Sequence, residues 1–112
     1  MFSTMVNFAD VLLAGLLVGV MFGVWLLFNP AELVPSVYIT LQQHAIRRLN
    51  RTVPLFGAAT ILMTILAAVL GRADSTRFDL LVATVVCFVV AGLITRFLNQ
   101  PINARVITWH AD

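Results

Sequence analysis

The sequence predicts an all-α membrane protein with three transmembrane helices, and three observations support this fold class. Of the 112 residues, 61% are hydrophobic and only 11% are charged, against roughly 45–50% and about 25% in soluble domains. The apolar residues form three segments of 18 to 21 residues, close to the roughly 20 that a helix needs to cross a bilayer. A water-soluble domain this small could not bury so much apolar surface. We therefore expect residues 1–112 to form one integral membrane domain.

The first predicted span covers residues 11–28 and ends at Asn29-Pro30, a pair that stops helices. The first ten residues contain no lysine or arginine, whereas a secretory signal begins with basic residues and has a shorter apolar region. We therefore expect this span to remain in the mature protein.

Gly15, Gly19 and Gly23 recur at intervals of four within the first span. In lipid the hydrophobic effect does not drive helices together, and glycines at this spacing let two backbones approach closely. We expect this glycine stripe to form a helix contact, either within the chain or between copies.

Residues 35–52 have the pattern of an amphipathic helix. The polar arc of the helical wheel contains Thr40, Gln43, His44, Arg47 and Arg51. This segment either lies at the membrane interface or runs on into the second span, residues 53–70, with a kink near Pro54. Gln42 falls within the apolar arc, which predicts a hydrogen bond to a neighbouring helix or a position facing a cavity.

The second span ends at Gly71 and is followed by the short charged turn GRADSTR, residues 71–77. A turn this short predicts that the second span and the third, residues 78–98, are antiparallel neighbours. The arginines suggest an orientation, since cytoplasmic loops are enriched in basic residues. Five of the seven arginines flank the first connection or the end after the third span, and only Arg72 and Arg77 are on the other side. We expect the N-terminus outside and the C-terminus in the cytoplasm, in the bacterial inner membrane.

The stretch RFLNQPINARVITWH, residues 96–110, places many polar side chains after the third span. If a helix continues through Pro101, one narrow face carries Arg96, Asn99, Asn103 and His110. Alternatively, Asn99 caps a new helix with Pro101 in its first turn. As a simple anchor, Arg96 would snorkel and Trp109 would join the interfacial aromatic belt. Because polar groups at membrane depth usually face a bundle interior or a wet cavity, this face is also a candidate site.

Several other classes of protein have no support in the sequence. The charge of +2 is too small and too dispersed for nucleic-acid binding. Neither zinc nor haem is expected, because no His, Cys or carboxylate spacing suits either one. Phosphate-binding loops and a Ser-His-Asp arrangement are also absent from the sequence. Cys87 lies in an apolar run and is expected to be a small hydrophobic residue.

The order of these features resembles a family of small membrane proteins classed as a domain of unknown function, which includes the fungal anthrone oxygenases. The resemblance rests on the glycine-rich first span, the Asn29-Pro30 exit, the YITLQQ and VPLF segments, and Asn99-x-Pro101-Ile102-Asn103 followed by Trp109. It implies a four-helix bundle that oxidises an anthrone with O₂ without metal or flavin. A fourth helix would follow Trp109, so the chain either lacks its last helix or is completed by another copy.

Two functions follow as expectations. In the first, the protein is a cofactor-independent oxygenase acting on a lipophilic phenol, with His110 or His44 as the base. Asn99 and Asn103 would then donate hydrogen bonds to the enolate oxygen, Trp109 would form an aromatic wall, and Gln42 and Arg96 would contact the substrate. In the second, it is a non-catalytic membrane subunit or scaffold. Its partners would be membrane lipid and either further copies or a larger complex.

Overall fold

The computed structural model describes residues 1–27 and 31–110, and the regular structure of this part is entirely helical. Helix α1 spans Phe2–Leu27, α2 Pro35–Leu70 and α3 Ser75–Ile94; a π-helical turn, Thr95–Asn99, then leads into the short helix α4, Gln100–Val106. Three helical stretches are long and apolar enough to cross a membrane: α1, α2 and the run Ser75–Val106. The predicted all-α membrane fold is confirmed. The Asn29-Pro30 exit lies outside the described residues.

Helix α2 is one continuous helix of 36 residues with Pro54 inside it. At 1.5 Å per residue it is about 54 Å long, well beyond the roughly 30 Å of hydrocarbon in a bilayer. The amphipathic segment 35–52 is therefore the first half of the second spanning helix: of the two alternatives, the one in which it runs on into the second span is confirmed, and a separate interfacial helix is not formed. The chain has no glycine between Pro35 and Pro54, and glycine is the residue most often found where a helix ends.

Helix α2 lies at the centre of the molecule. Both α1 and α3 pack against it, whereas no Cα atoms of α1 and α3 approach within 8 Å in the described part of the chain. The side chains that α2 buries are small, namely Ala45, Thr60, Thr64, Ala67 and Ala68. Small side chains let helices approach closely in lipid, where dispersion and hydrogen bonds hold them together.

The connection between α2 and α3 is the short charged turn that the sequence predicts. Asp74 begins α3 as its N-cap, and its carboxylate accepts a hydrogen bond from the backbone N–H of Arg77 at 3.2 Å. A side chain at Gly71 would lie about 3.0 Å from the Arg77 side chain and 3.2 Å from the carbonyl oxygen of Ala67. A residue with a Cβ at this turn would therefore require these neighbouring atoms to shift by a few tenths of an ångström.

Candidate functional site

The polar stretch after the third span is helical through Pro101. The backbone N–H of Gln100 bonds to the carbonyl of Thr95, five residues earlier, which makes the preceding turn π-helical. Asn99 has helical dihedral angles (φ −79°, ψ −39°) and its side chain makes no capping bond. The alternative in which Asn99 caps a new helix was therefore wrong. Proline has no N–H and its ring crowds the preceding turn. The widened turn just before Pro101 relieves this crowding, so the helix continues through the proline.

The helix that was predicted to carry the candidate face is not a regular α-helix throughout. A wheel at 100° per residue requires an unbroken α-helix to residue 110, but the π turn changes the angle after Arg96, and α4 ends at Val106. Arg96, Asn99 and His110 are exposed, whereas Asn103 is half-buried. The single face predicted for an unbroken helix therefore does not extend to His110, which lies beyond the end of α4. Trp109, the expected aromatic wall, is 50% exposed.

Gln43 connects α2 to the end of α4. Its side-chain amide donates to the carbonyl oxygens of Val106 at 2.9 Å and Trp109 at 2.6 Å, with that of Ile107 at 3.4 Å. The last carbonyls of a helix have no partner within the helix, so Gln43 caps α4 from another element. The sequence placed Gln43 among solvated polar residues, and nothing in its local pattern indicated a partner more than 60 residues away.

The two other α2 residues singled out from the sequence do not join this end of α4. Gln42 donates to the hydroxyl of Tyr38 at 2.9 Å, within its own helix. The expected hydrogen bond from Gln42 to a neighbouring helix was therefore wrong, because a tyrosine one turn earlier satisfies the amide. His44 is exposed.

A second polar cluster, which we call the Asp10 cluster, joins α1 to α2 and consists of Asp10, Thr60 and Thr64. The exposed fractions of these residues are 8%, 0% and 0%. The Thr64 hydroxyl lies 2.5 Å from Oδ1 of Asp10 and 2.8 Å from the carbonyl oxygen of Thr60. The Thr60 hydroxyl donates to the carbonyl of Phe56 at 2.7 Å. A carboxyl group buried between two membrane-spanning helices is rare and marks a functional candidate.

The Asp10 cluster was not predicted from the sequence, where Asp10 is a single acid before the first apolar run. The available signal was a single acid at the start of an apolar run, together with two threonines four residues apart in another apolar run. Residues at this spacing share one helix face. The sequence could thus have indicated a polar position on each helix. It could not have indicated that Asp10 and Thr64 contact each other.

The glycine stripe lies on the other side of α1 from the Asp10 cluster. Nine residues separate Asp10 from Gly19, which places Gly19 about 180° around the helix. A Cβ added at Gly15, Gly19 or Gly23 would have no atom of this chain within 4 Å, apart from the adjacent backbone of α1. The stripe therefore makes no helix contact within the described chain, and a contact between copies stays a prediction. A shallow apolar depression beside it is lined by Phe8, Val11, Leu12, Gly15 and Leu16.

Metal ligands do not converge in this part of the structure. Across residues 1–27 and 31–110, no group of three or more His, Cys, Asp or Glu residues is placed to hold a metal ion. The described polar groups can form hydrogen bonds, transfer protons and bind anions through arginine.

Comparison with known proteins adds no relative, since no family model, curated protein or solved structure matches this chain. The likeness to the anthrone oxygenase family therefore stays a prediction from the residues quoted above.

Proposed function

We propose that the protein is a small non-catalytic membrane subunit that assembles with further copies through the glycine stripe of α1. The observation that carries this proposal is the direction of the stripe. Helix α1 turns its Asp10 side toward α2, and its three glycines point away from the rest of the chain. The surface best suited to close helix packing thus has no partner among the residues that the structure describes.

The arrangement of the helices supports the same proposal. Because α1 packs on α2 and none of its Cα atoms lies within 8 Å of a Cα atom of α3, the side of α1 that carries the glycines is uncovered in the described structure. Two α1 helices could approach closely there, since glycines four residues apart bring backbones into van der Waals contact. The neighbouring depression could receive large apolar side chains from the partner helix.

Replacement of Gly19 by isoleucine tests the proposal. The new side chain would have no close contact within the chain, apart from the backbone of its own helix, so the fold of one protomer should be preserved. Between two protomers it would force the α1 helices apart. We expect the wild-type protein in mild detergent to form oligomers and Gly19→Ile to be monomeric, as measured by light scattering coupled to size-exclusion chromatography.

Gly92→Ile is the matched control. Gly92 lies on α3 and also has no neighbouring atom within 4 Å of an added Cβ. This variant should keep the wild-type oligomeric state. A monomeric wild-type protein in detergent and in lipid nanodiscs, or equal loss of assembly in both variants, would contradict the proposal.

A cofactor-independent oxygenase is the second candidate function. The observation in its favour is the π turn at Thr95–Asn99, since such turns occur frequently at functional sites. It is followed by the half-buried Asn103 and by a tail that Gln43 holds against α2. In this proposal His110 or His44 removes a proton from a phenolic anthrone, and Asn103 and Asn99 donate to the enolate oxygen.

Turnover of an anthrone by the purified protein under O₂ would test this candidate. Formation of the anthraquinone can be followed by absorbance. We expect Asn103→Ala to lower the rate by about 10²-fold or more, as loss of an oxyanion donor does in other enzymes. Asn50→Ala, an exposed amide on α2, should not change it. Absence of wild-type turnover, or equal rates in the two variants, would remove this candidate.

A further inference from the structure

Most of the arginines lie at one end of the molecule, where the first half of α2 meets α4. Arg47, Arg48 and Arg51 are on α2, Arg96 is in the π turn and Arg105 is on α4. All five are exposed. Within the described residues none of their guanidinium groups pairs with a carboxylate; Arg96 lies 6.0 Å from the ring centroid of Phe97. The five side chains are therefore available to an external anion.

The hydrogen bonds from Gln43 to the end of α4 place these arginines at similar heights along the helix axes. Since Gln43 contacts residues 106 to 109 and the helices run antiparallel, Arg47 lies at about the level of residue 103 and Arg51 at about that of residue 99. Arg96 and Arg105 thus lie within about 10 Å, along the helix axis, of the α2 arginines. Two neighbouring helices present one basic surface rather than two separate ones.

The α2 arginines of this basic surface lie at about the depth of lipid headgroups, and Arg96, about level with residue 54, lies at the edge of the hydrocarbon. The apolar run of α2 begins at Val53, which places Arg51 about 3 Å and Arg47 about 9 Å outside the hydrocarbon. The headgroup layer on each side of a bilayer is about 5–8 Å thick. Arginine side chains at this depth reach phosphate groups, and the guanidinium fork binds phosphate through two parallel hydrogen bonds.

The opposite end of the molecule lacks such a surface. Arg72 and Arg77 there are accompanied by Asp74 and Asp79, so the positive charges are balanced. At the α2 and α4 end, Glu32 is the one acid among the described residues. Only this end has the surplus of positive charge that attracts an anionic membrane surface.

We propose that Arg47, Arg48, Arg51, Arg96 and Arg105 form a binding surface for the headgroups of anionic phospholipids. The bound group is the lipid phosphodiester, held in the leaflet beside α2 and α4. This role is independent of the glycine stripe, which lies on a different helix. It also applies whichever way the protein is oriented in the membrane.

The experiment compares lipid binding by two purified variants of the full chain. Arg47→Gln, Arg48→Gln and Arg51→Gln are combined in one variant, and Arg72→Gln and Arg77→Gln in the control. Native mass spectrometry measures the binding of phosphatidylglycerol and phosphatidylcholine from mixed micelles. We expect the wild-type protein to prefer phosphatidylglycerol and the triple variant to lose about tenfold or more of that preference, because each basic residue near an anionic surface strengthens attraction severalfold. The control should keep the wild-type preference.

Three further measurements distinguish binding of the lipid headgroup from other causes of the preference. Inorganic phosphate at the same concentration should not displace the lipid; displacement would show a site for free anions and contradict the proposal. A variant with lysine at positions 47, 48 and 51 should keep most of the preference, because the positive charges remain. If the glutamine variant does not fold, the salt dependence of the wild-type protein decides. A preference for phosphatidylglycerol that does not weaken with added salt would contradict the proposal.

Discussion

Asp10 and Thr64 differ in the number of side-chain hydrogen-bonding partners that each has. The Thr64 hydroxyl has a second acceptor in the carbonyl of Thr60, whereas Asp10 has Thr64 as its one hydrogen-bonding partner among the described residues. Loss of Asp10 therefore leaves Thr64 satisfied. Loss of the Thr64 hydroxyl leaves a buried carboxyl group without a donor, which costs the full desolvation penalty of that group.

We predict that Thr64→Val destabilises the protein more than Asp10→Ala does. The expected losses in free energy of unfolding are about 2 kcal/mol or more for Thr64→Val and about 1 kcal/mol for Asp10→Ala, within the range of hydrogen bonds between membrane helices. Unfolding in mixed detergent micelles containing SDS would measure both. The double variant should be more stable than Thr64→Val alone, because it removes the unpaired carboxyl group.

Thr84→Val provides the control for the loss of a threonine hydroxyl. Thr84 lies on α3 and its hydroxyl donates to the carbonyl of Leu80 within the same helix. Its replacement should change stability by less than about 0.5 kcal/mol, as is usual for substitutions away from buried networks. Equal effects of Thr84→Val and Thr64→Val would show that Asp10 plays no part.

At the scale of the elements, α4 depends on α2 for its position. It forms the last 7 residues of the helical run Ser75–Val106, so its beginning is held by that run and its free end rests on α2. Two contacts hold it: Val106 is buried among the few apolar core residues, and Gln43 caps the last carbonyls. Because α4 carries Asn103 and Arg105, both the second candidate function and the lipid surface depend on this cap.

We predict that Gln43→Ala loosens the end of α4 while Gln42→Ala does not. The backbone N–H groups of Ile107, Thr108 and Trp109 bond to carbonyls of Asn103, Arg105 and Val106, and these bonds should open more often without the cap. Hydrogen–deuterium exchange of a C-terminal peptide should quicken by about 5-fold or more, which corresponds to about 1 kcal/mol for a lost hydrogen bond. Gln42 is the matched control because, in the described part of the chain, its amide bonds to Tyr38 of the same helix and not to α4. Similar exchange in both variants would argue against the cap.

The whole molecule leaves most of its large apolar side chains uncovered by protein. In the most apolar stretch of 18 residues in α1, in α2 and in Ser75–Val106, only 6%, 22% and 0% of the residues are buried. Such a surface is stable only in a membrane or in detergent. Lipid therefore covers the apolar side chains that a larger hydrophobic core would cover in a soluble protein.

Cys87 tests this statement at one position. It is exposed on α3, near the middle of an apolar span, so lipid should cover it. In intact membranes we predict no reaction with a membrane-impermeant maleimide, and full reaction after denaturation. In a Cys87→Ala background, cysteines at Asn50 and Ala73 should react without denaturation, and from opposite sides of the membrane. Labelling of Cys87 in intact membranes would contradict the assignment of α3 as a span.

Much of the fold could be predicted from the sequence, and particular residues show where prediction stopped. The three spans follow from runs of apolar residues, which is a local property. The continuity of α2 through Pro54 was one of two alternatives, because proline weakens a helix but does not always end it. The interhelical partners of Gln43 and Asp10 were not predictable, since each lies more than 50 residues away along the chain.

The sequence by itself determined that this chain crosses lipid as helices, because no water is available there and backbone groups must bond within each helix. It also determined which side chains share a face of α1. Only the tertiary structure decided that the Asp10 face meets α2 and that the glycine face remains free. The physical reason is that in lipid both faces can pack, and the choice between them depends on a threonine of another helix that can donate to Asp10.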